Sequence, residues 1–424
     1  MSEWRKRELG ELVAAAGGYV RTGPFGSQLH AQEYTDDPFG IPVVMPKDMV
    51  HGRVDRTSVS RVDHQTAERL KVHRLAAGDV VFARRGDVGR FAAVADDEAG
   101  WLCGTGSMRV HAPDHELLCS GFLRHAMSHP DVGEWLAGQA VGATMPNLNA
   151  EIVSRLPLSV PLVATQRRIA ALLSAFDELI EINERRIELL EDLARSLYRE
   201  WFVRFRFPGH EDVEFVDSEL GPIPDGWEVR TFESTGEFLN GFAFKPAHWG
   251  TEGLPIIKIK ELKQGATPNT PRYAGDDVPH RYVVKPGALL FSWSADLGVY
   301  LWPGESGWLN QHLFKITPAA GIPQAFLFHA LDQALPGFRE RAQGTTMKHI
   351  KRSALREVAC VVPTSEMLVE FAGAVEPMHA EILMLSEAND RVAATRDLLL
   401  PRLVTGQLNI SDIDLGGLLP AEPA

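Results

Sequence analysis

Cysteine is scarce in this 424-residue chain: Cys103, Cys119 and Cys360 are all there is, and they lie far apart. That excludes a disulfide framework and a Cys-x-x-Cys metal site, and it makes a reducing cytoplasm the default location. Long apolar runs are missing as well. None reaches the roughly 18 residues of a membrane span, and the start, Met1-Ser-Glu-Trp-Arg5, is polar, with no apolar core of a signal peptide. No membrane partner is expected. There is no Gly-x-x-x-x-Gly-Lys-Ser/Thr phosphate loop, and Gly104-Thr-Gly106 lacks the third glycine of a dinucleotide fingerprint because position 109 is arginine. No His-Glu-x-x-His pair occurs, so no zinc-protease helix is present, and no metal site is expected. The Asn/Asp-Pro-Pro-aromatic loop that would hold an exocyclic base amine for methylation is absent too. Gly23-Pro-Phe-Gly26 is its nearest lookalike and has no carboxamide. Glu68-x-x-Lys71 has the spacing of an opposite-charge pair on a helix surface, which is a simpler reading than the end of a nuclease motif.

Positive charge is also short. The formal net charge is −13, which at first argues against a nucleic-acid partner. The distribution removes much of that objection. Residues 1–160 carry net −3 and residues 225–364 net +2, whereas residues 161–224 carry −5 and residues 365–424 carry −7. The two larger segments are near neutral, so each has room for a local basic face.

What the chain does have is an internal repeat, spaced by about 200–215 residues. Gly40-Ile-Pro-Val-Val-Met-Pro-Lys-Asp-Met49 resembles Gly253-Leu-Pro-Ile-Ile-Lys-Ile-Lys-Glu-Leu262. Gly78-Asp-Val-Val-Phe-Ala83 resembles Gly287-Ala-Leu-Leu-Phe-Ser292, and each leads to an Asp-x-Gly (Asp87 to Gly89, Asp296 to Gly298). Gly142-Ala-Thr-Met145 pairs with Gly344-Thr-Thr-Met347, Leu158-Ser-Val-Pro161 with Cys360-Val-Val-Pro363, and Asn183-Glu-Arg185 with Asn389-Asp-Arg391. The order is the same in both halves, as duplication followed by divergence would leave it.

Each half reads as a mixed domain followed by a helix. Val80-Val-Phe82 and Leu289-Leu-Phe291 are short apolar runs bounded by glycine, the pattern of buried strands. From Thr165 to Phe205 there is neither proline nor glycine. Ile169, Phe176, Asn183, Leu190 and Leu197 recur every seven residues, with Leu173, Ile180, Ile187, Ala194 and Trp201 offset by four. That is the seam pattern of a coiled coil, and such a helix reaches about 60 Å at 1.5 Å per residue. In the second half Phe371, Met378, Leu385, Val392 and Leu399 form one series, while Val375, Ile382 and Asn389 begin another that breaks at Arg396. The seams predict an antiparallel helix pair spacing two domains; a helical core with no further role is the alternative. Asn183 and Asn389 fall on the seams, where a polar residue fixes register at some cost in stability, unless both are simply solvated.

The stretch Leu189-Leu-Glu-Asp-Leu-Ala-Arg-Ser-Leu-Tyr-Arg-Glu-Trp-Phe-Val-Arg-Phe205, followed by Ser218-Glu-Leu-Gly-Pro-Ile-Pro-Asp-Gly-Trp-Glu228, resembles the junction in specificity subunits of Type I restriction-modification enzymes. Arg396-Asp-Leu-Leu-Leu-Pro-Arg-Leu-Val-Thr-Gly-Gln-Leu408 resembles the end of that family's second conserved helix. The similarity covers nearly the whole chain in family order. It implies an α+β fold: two mixed α/β target-recognition domains separated by long antiparallel coiled-coil helices, a direct repeat in pseudo-twofold arrangement. The expected domains are 1–160 (first recognition domain), 161–210 (central spacer helix), 211–224 (linker), 225–364 (second recognition domain), 365–408 (C-terminal spacer helix) and 409–424 (flexible tail). It also implies a division of labour. This chain reads double-stranded DNA and has no catalytic residue or cofactor of its own. Two methyltransferase subunits bind S-adenosylmethionine and modify adenine, and restriction/translocase subunits use ATP and Mg²⁺. A self-contained DNA-modifying enzyme with an unrecognised centre, or a helical scaffold that binds no DNA, are the competing readings.

Base reading needs forked donors and acceptors, chiefly Arg or Lys to guanine and Asn or Gln to adenine. Phosphate contacts need cations, hydroxyls and backbone amides, and carry no sequence information. The candidates are Lys47, Arg84, Arg85, Arg90, Thr144, Asn147 and Asn149 in the first half, and Lys258, Lys260, Gln311, His312, Thr346, Lys348, His349 and Lys351 in the second. Arg84-Arg85 stands out because it follows a predicted strand in a glycine-flanked loop, and its counterpart in the repeat is Trp293. Ordinary surface charge is the alternative for any one of them.

Overall fold

The computed structural model describes residues 4–50, 52–140, 147–342 and 349–410. The chain forms two compact units, one of residues 1–179 with 392–424, the other of residues 180–391. Both are mixed helix and sheet, and the repeat seen in the sequence is a repeat of topology.

In the first unit the buried strand Val80–Ala83 lies between Ser107–His111 and Phe91–Ala93, and Tyr19–Thr22 completes the sheet. In the second, Leu289–Ser292 lies between Leu313–Pro318 and Gly298–Leu301, with Gly236–Asn240 at the edge. Val80, Val81, Leu289 and Leu290 have no exposed surface, as expected of apolar runs covered on both faces. A second four-stranded sheet accompanies each. Its one parallel pairing recurs: Leu102–Cys103 against Ile41–Val44, and Gly307–Leu309 against Leu254–Ile257. The Leu158-Ser-Val and Cys360-Val-Val segments are also equivalent. Pro157–Val160 pairs with Arg5–Glu8, and Ala359–Val362 with Glu228–Thr231.

The glycine- and proline-free stretch is a helix over Val163–Tyr198 that ends in a π-helical turn, Arg199–Val203. The second long helix is Ser365–Val404. Within each unit the two run antiparallel. In the first unit Ile169 and Leu173 share a core with Leu400, Leu403 and Val404. In the second, Ala194, Tyr198 and Phe202 share one with Leu368, Phe371 and Val375. The seam break at Arg396 has a physical cause. Its Nη1 lies 2.7 Å from Asp177 Oδ1 of the facing helix, so an ion pair replaces an apolar contact. Asn183 is 5% exposed, and its Nδ2 donates to Asn389 Oδ1 at 2.8 Å.

The family-like run after the first helix is a docking element. Phe215–Val216 and Ile223–Pro224 form a short hairpin around Gly221, whose φ of 95° only glycine adopts without strain. Trp227 then packs on Phe202, Phe205 and Phe207 at the helix end. Packing at the C-terminal end runs into the segment read from sequence as tail: Ile410 is buried and its carbonyl accepts from Arg168 at 3.2 Å. Among the described residues no helix is long and apolar enough to cross a membrane.

Candidate nucleic-acid interface

In the first unit three segments meet where the Val80–Ala83 strand ends. The Arg84 amide donates to the Gly106 carbonyl (2.7 Å), and the Arg84 carbonyl accepts from the Leu148 amide (2.9 Å). Arg85 continues the pairing as a β-bridge to Asn147. The second unit builds the same frame. The Trp293 amide donates to His312 (3.4 Å), the Trp293 carbonyl accepts from Ile350 (3.0 Å), and Ser294 bridges to His349. A glycine closes each frame. Gly23 and Gly241 donate to the carbonyls of Ser107 (2.9 Å) and Leu313 (3.0 Å). A Cβ on Gly23 would sit 2.2 Å from the Gly104 oxygen, and one on Gly241 2.1 Å from the Asn310 oxygen. No side chain fits at either place.

On this common frame the side chains differ. Arg84 is 8% exposed. Its Nε donates to Asn147 Oδ1 at 3.2 Å, and its guanidinium lies 4.9 Å from the centre of the Phe25 ring. Burial, with the adjacent Arg85 charge, pushes its pKa below the usual arginine value. Arg84 is therefore not the exposed loop residue its sequence position suggested. Arg85 is exposed, and its side chain makes no hydrogen bond or ion pair among the described residues. In the second unit Trp293 fills the Arg84 place. Its indole N–H donates to Asn240 Oδ1 at 3.0 Å, and its ring lies 5.8 Å from His312 and 6.5 Å from His349. Gln311 Nε2 is 3.4 Å from His312 Nε2, while His312 Nδ1 is buried with no partner among the described residues.

The rims thus bring together Arg84, Arg85 and Asn147 in one unit, and Gln311, His312 and His349 in the other. Asn149 follows closely, but its side-chain oxygen caps the Ala150–Ser154 helix by accepting from the Ile152 amide at 2.7 Å. Exposed Lys351 holds the matching place in the second unit. Arg90 is paired with Asp87 at 2.8 Å. Lys47 and Lys260 occupy equivalent turns, each held by a buried carboxylate. Asp48 accepts from the Met45 amide (2.8 Å), and Glu261 from the Lys258 amide (3.1 Å). Lys47 Nζ also donates to the Ser58 carbonyl at 2.8 Å, Lys258 Nζ lies 4.8 Å from the Trp249 ring, and Lys260 is exposed. Thr144, Thr346 and Lys348 lie outside the described residues, as do the two Gly-x-Thr-Met segments. Two further cations are occupied. Arg109 Nη2 donates to the Val72 carbonyl (3.0 Å), and Lys315, its equivalent, to that of Val283 (2.9 Å).

Sequence reading missed how each recognition core is fastened to its long helix. Phe122-Leu-Arg-His-Ala126 recurs as Phe326-Leu-Phe-His-Ala330, and that recurrence was the available signal. His125 Nε2 lies 3.3 Å from Ser174 Oγ on the first long helix. His329 Nε2 lies 3.1 Å from His379 Nε2 on the second. Burial, then the neighbouring Arg124 charge, pushes the His125 pKa down to about 3. Burial, then His379, does the same to His329, and burial takes His379 to about 4. All three are neutral docking groups near pH 7.

Residues 1–192 and 224–370 match the Type I restriction modification DNA specificity domain. Among curated proteins the chain is similar to the Type I restriction enzyme MjaIX specificity subunit of Methanocaldococcus jannaschii, 22% identical over 97% of this chain and 95% of that protein. It is also similar to the HindI specificity subunit of Haemophilus influenzae, 20% identical over 96% and 100%. Among solved structures it shares its fold with the Type I restriction-modification system S subunit from M. genitalium, with a TM-score of 0.59 at 16% identity, covering 95% of this chain and 96% of that one. Two matches to one domain, in the order in which the chain repeats its topology, place this chain in the family of Type I restriction-modification DNA specificity subunits.

Proposed function

We propose that the two rims read the two halves of a bipartite, asymmetric double-stranded DNA target. Membership of the family makes the chain the non-catalytic specificity subunit of a Type I restriction-modification complex. The observation that carries the finer reading is one backbone frame built twice with different side chains on its rim. A shared frame gives both halves the same approach to a duplex, and divergent side chains let each read different bases. We take residues 1–160 and 225–364 as the two recognition domains, with unread bases between their half-sites.

The long helices are the part that scaffolds partners: two methyltransferase subunits, with restriction/translocase subunits added to them. Their acidic composition suits protein better than phosphate. Ile182, Leu189 and Leu193 form an apolar row on the first helix, each 50–58% exposed. Such a row suits a protein partner. S-adenosylmethionine, ATP and Mg²⁺ belong to those partners in this scheme.

The test is an exchange of residues 1–160 for the corresponding domain of another family member, in the complete complex, followed by genome-wide mapping of methylated adenines. One half-site changes and the other stays. A continuous target, or a change in both halves or in neither, refutes the reading.

A further inference from the structure

We propose that Arg85 is a guanine-reading residue, so that the half-site of the first recognition domain contains a G·C pair that depends on it. The inference rests on the DNA reading above and adds a base and a residue to it.

The repeat separates two kinds of contact. Both units grip the same sugar-phosphate backbone, so phosphate contacts, being blind to sequence, are wanted in both. Lys47 and Lys260 fit that class: a cation at the same turn of each unit. Base contacts are the ones that differ between half-sites. At the rim the difference is sharp. Arg85 and Ser294 occupy the same bridged position of the same frame. Arg85 carries an exposed guanidinium, whereas Ser294 is 3% exposed. A cation present in only one of two equivalent places has the distribution of a reader.

The local geometry supports the same assignment. The Arg85 backbone is held by its bridge to Asn147, and Gly86 at φ 76° turns the chain away directly after it. The base of the side chain is thereby fixed while its donors are left unengaged among the described residues. Arg84 beside it has its Nε engaged by Asn147 and its face on Phe25, and acts as a positioning residue that stiffens the rim. A guanidinium presents parallel N–H donors that match O6 and N7 of guanine in the major groove. An ammonium keeps the charge but not the fork.

The experiment compares wild type, Arg85→Lys and Arg85→Ala as full-length chains co-expressed with their methyltransferase subunits, reading adenine methylation across the genome at all single-base variants of the target. Both variants relax discrimination at one G·C pair of the first half-site, by roughly 5- to 100-fold in relative preference, and leave the second half-site unchanged. The proposal is overturned if the first half-site holds no G·C pair or if neither variant alters discrimination. It is equally overturned if Arg85→Lys behaves as wild type while Arg85→Ala lowers methylation of all sequences alike, the signature of a phosphate contact. Loss of all methylation by both variants while they still co-purify with their partners also overturns it. The underlying reading fails separately, through the 1–160 exchange, whatever Arg85 does.

Discussion

Replacing Asn389 with leucine tests what the paired asparagines do in the helix seam. In the wild type Asn183 Nδ2 donates to Asn389 Oδ1 at 2.8 Å, and Asn389 Nδ2 reaches the Ile180 carbonyl at 3.5 Å. Asn183 is 5% exposed, so removing its partner leaves a buried carboxamide unsatisfied, at a cost of about 1–3 kcal/mol. Asn183→Leu costs less, because Asn389 is only partly buried and keeps its contact to the Ile180 carbonyl. The double variant puts leucine against leucine, which is neutral or stabilising. The coupling energy, the double effect less both single ones, is therefore at least as large as the two single costs added together. The chain has two units, so global unfolding does not isolate the seam. Amide hydrogen exchange over residues 178–190 does, because it reports local opening. Asn389→Leu speeds exchange there by roughly 5- to 140-fold (tenfold per 1.4 kcal/mol), Asn183→Leu by less, and the double variant restores protection. Additive losses in the double variant, or single variants that exchange like wild type, would show that the asparagines act independently. Register has its own readout. Arg186 faces Glu381 across the pair, so cysteines at those two positions cross-link in the wild type and less selectively once both asparagines are leucine.

Three further outcomes are expected. The ordinary histidine pKa is 6.5 and that of folded His125 about 3, so the unfolded chain binds the proton first. Stability from this group is complete above about pH 6.5 and is lost as pH falls towards about 3; Tm of the wild type drops more steeply over that range than Tm of His125→Gln. Gly23→Ala forces a Cβ onto the Gly104 carbonyl and Gly241→Ala onto that of Asn310, so the first weakens discrimination in one half-site only and the second in the other only, read from the methylation map of each. Leu189→Glu with Leu193→Glu lowers co-purification of methyltransferase subunits while leaving Tm within a degree or two, because both side chains are half exposed. Truncating residues 388–408 is a poorer test of assembly, since Leu400, Leu403 and Val404 belong to the core of the first unit.

The long helices were the most legible part of the sequence. In the first, a seven-residue apolar period over some forty residues without proline or glycine leaves little choice; in the second the period persists past Gly373 and Pro377, and even its break at Arg396 was visible, though the Asp177 partner across the seam was not. The buried strands were legible for a similar reason: Val80-Val-Phe and Leu289-Leu-Phe are continuous apolar runs between glycines. Burial of Arg84 was not legible. Arginine after a strand reads as surface, and only the fold brings Phe25 and Asn147 to it from positions far off in the chain. Nor was the docking role of His125 and His329, because neither partner, Ser174 or His379, lies near its histidine in sequence.

The frame of the rim is the hardest part to see in sequence, and the reason bears on what it is for. Its bonds run from backbone to backbone: Arg84 to Gly106 and Leu148 to Arg84 in one unit, Trp293 to His312 and Ile350 to Trp293 in the other. Such bonds ask nothing of the side chains, so arginine and tryptophan, or glycine and histidine, serve equally in the same place. Only where backbone approaches backbone too closely for a Cβ does the frame leave a mark, as Gly23 and Gly241. A rim built this way can exchange every reading side chain without being rebuilt. Two copies in one chain can then diverge independently, which an asymmetric target requires and a symmetric homodimer of a single domain cannot supply.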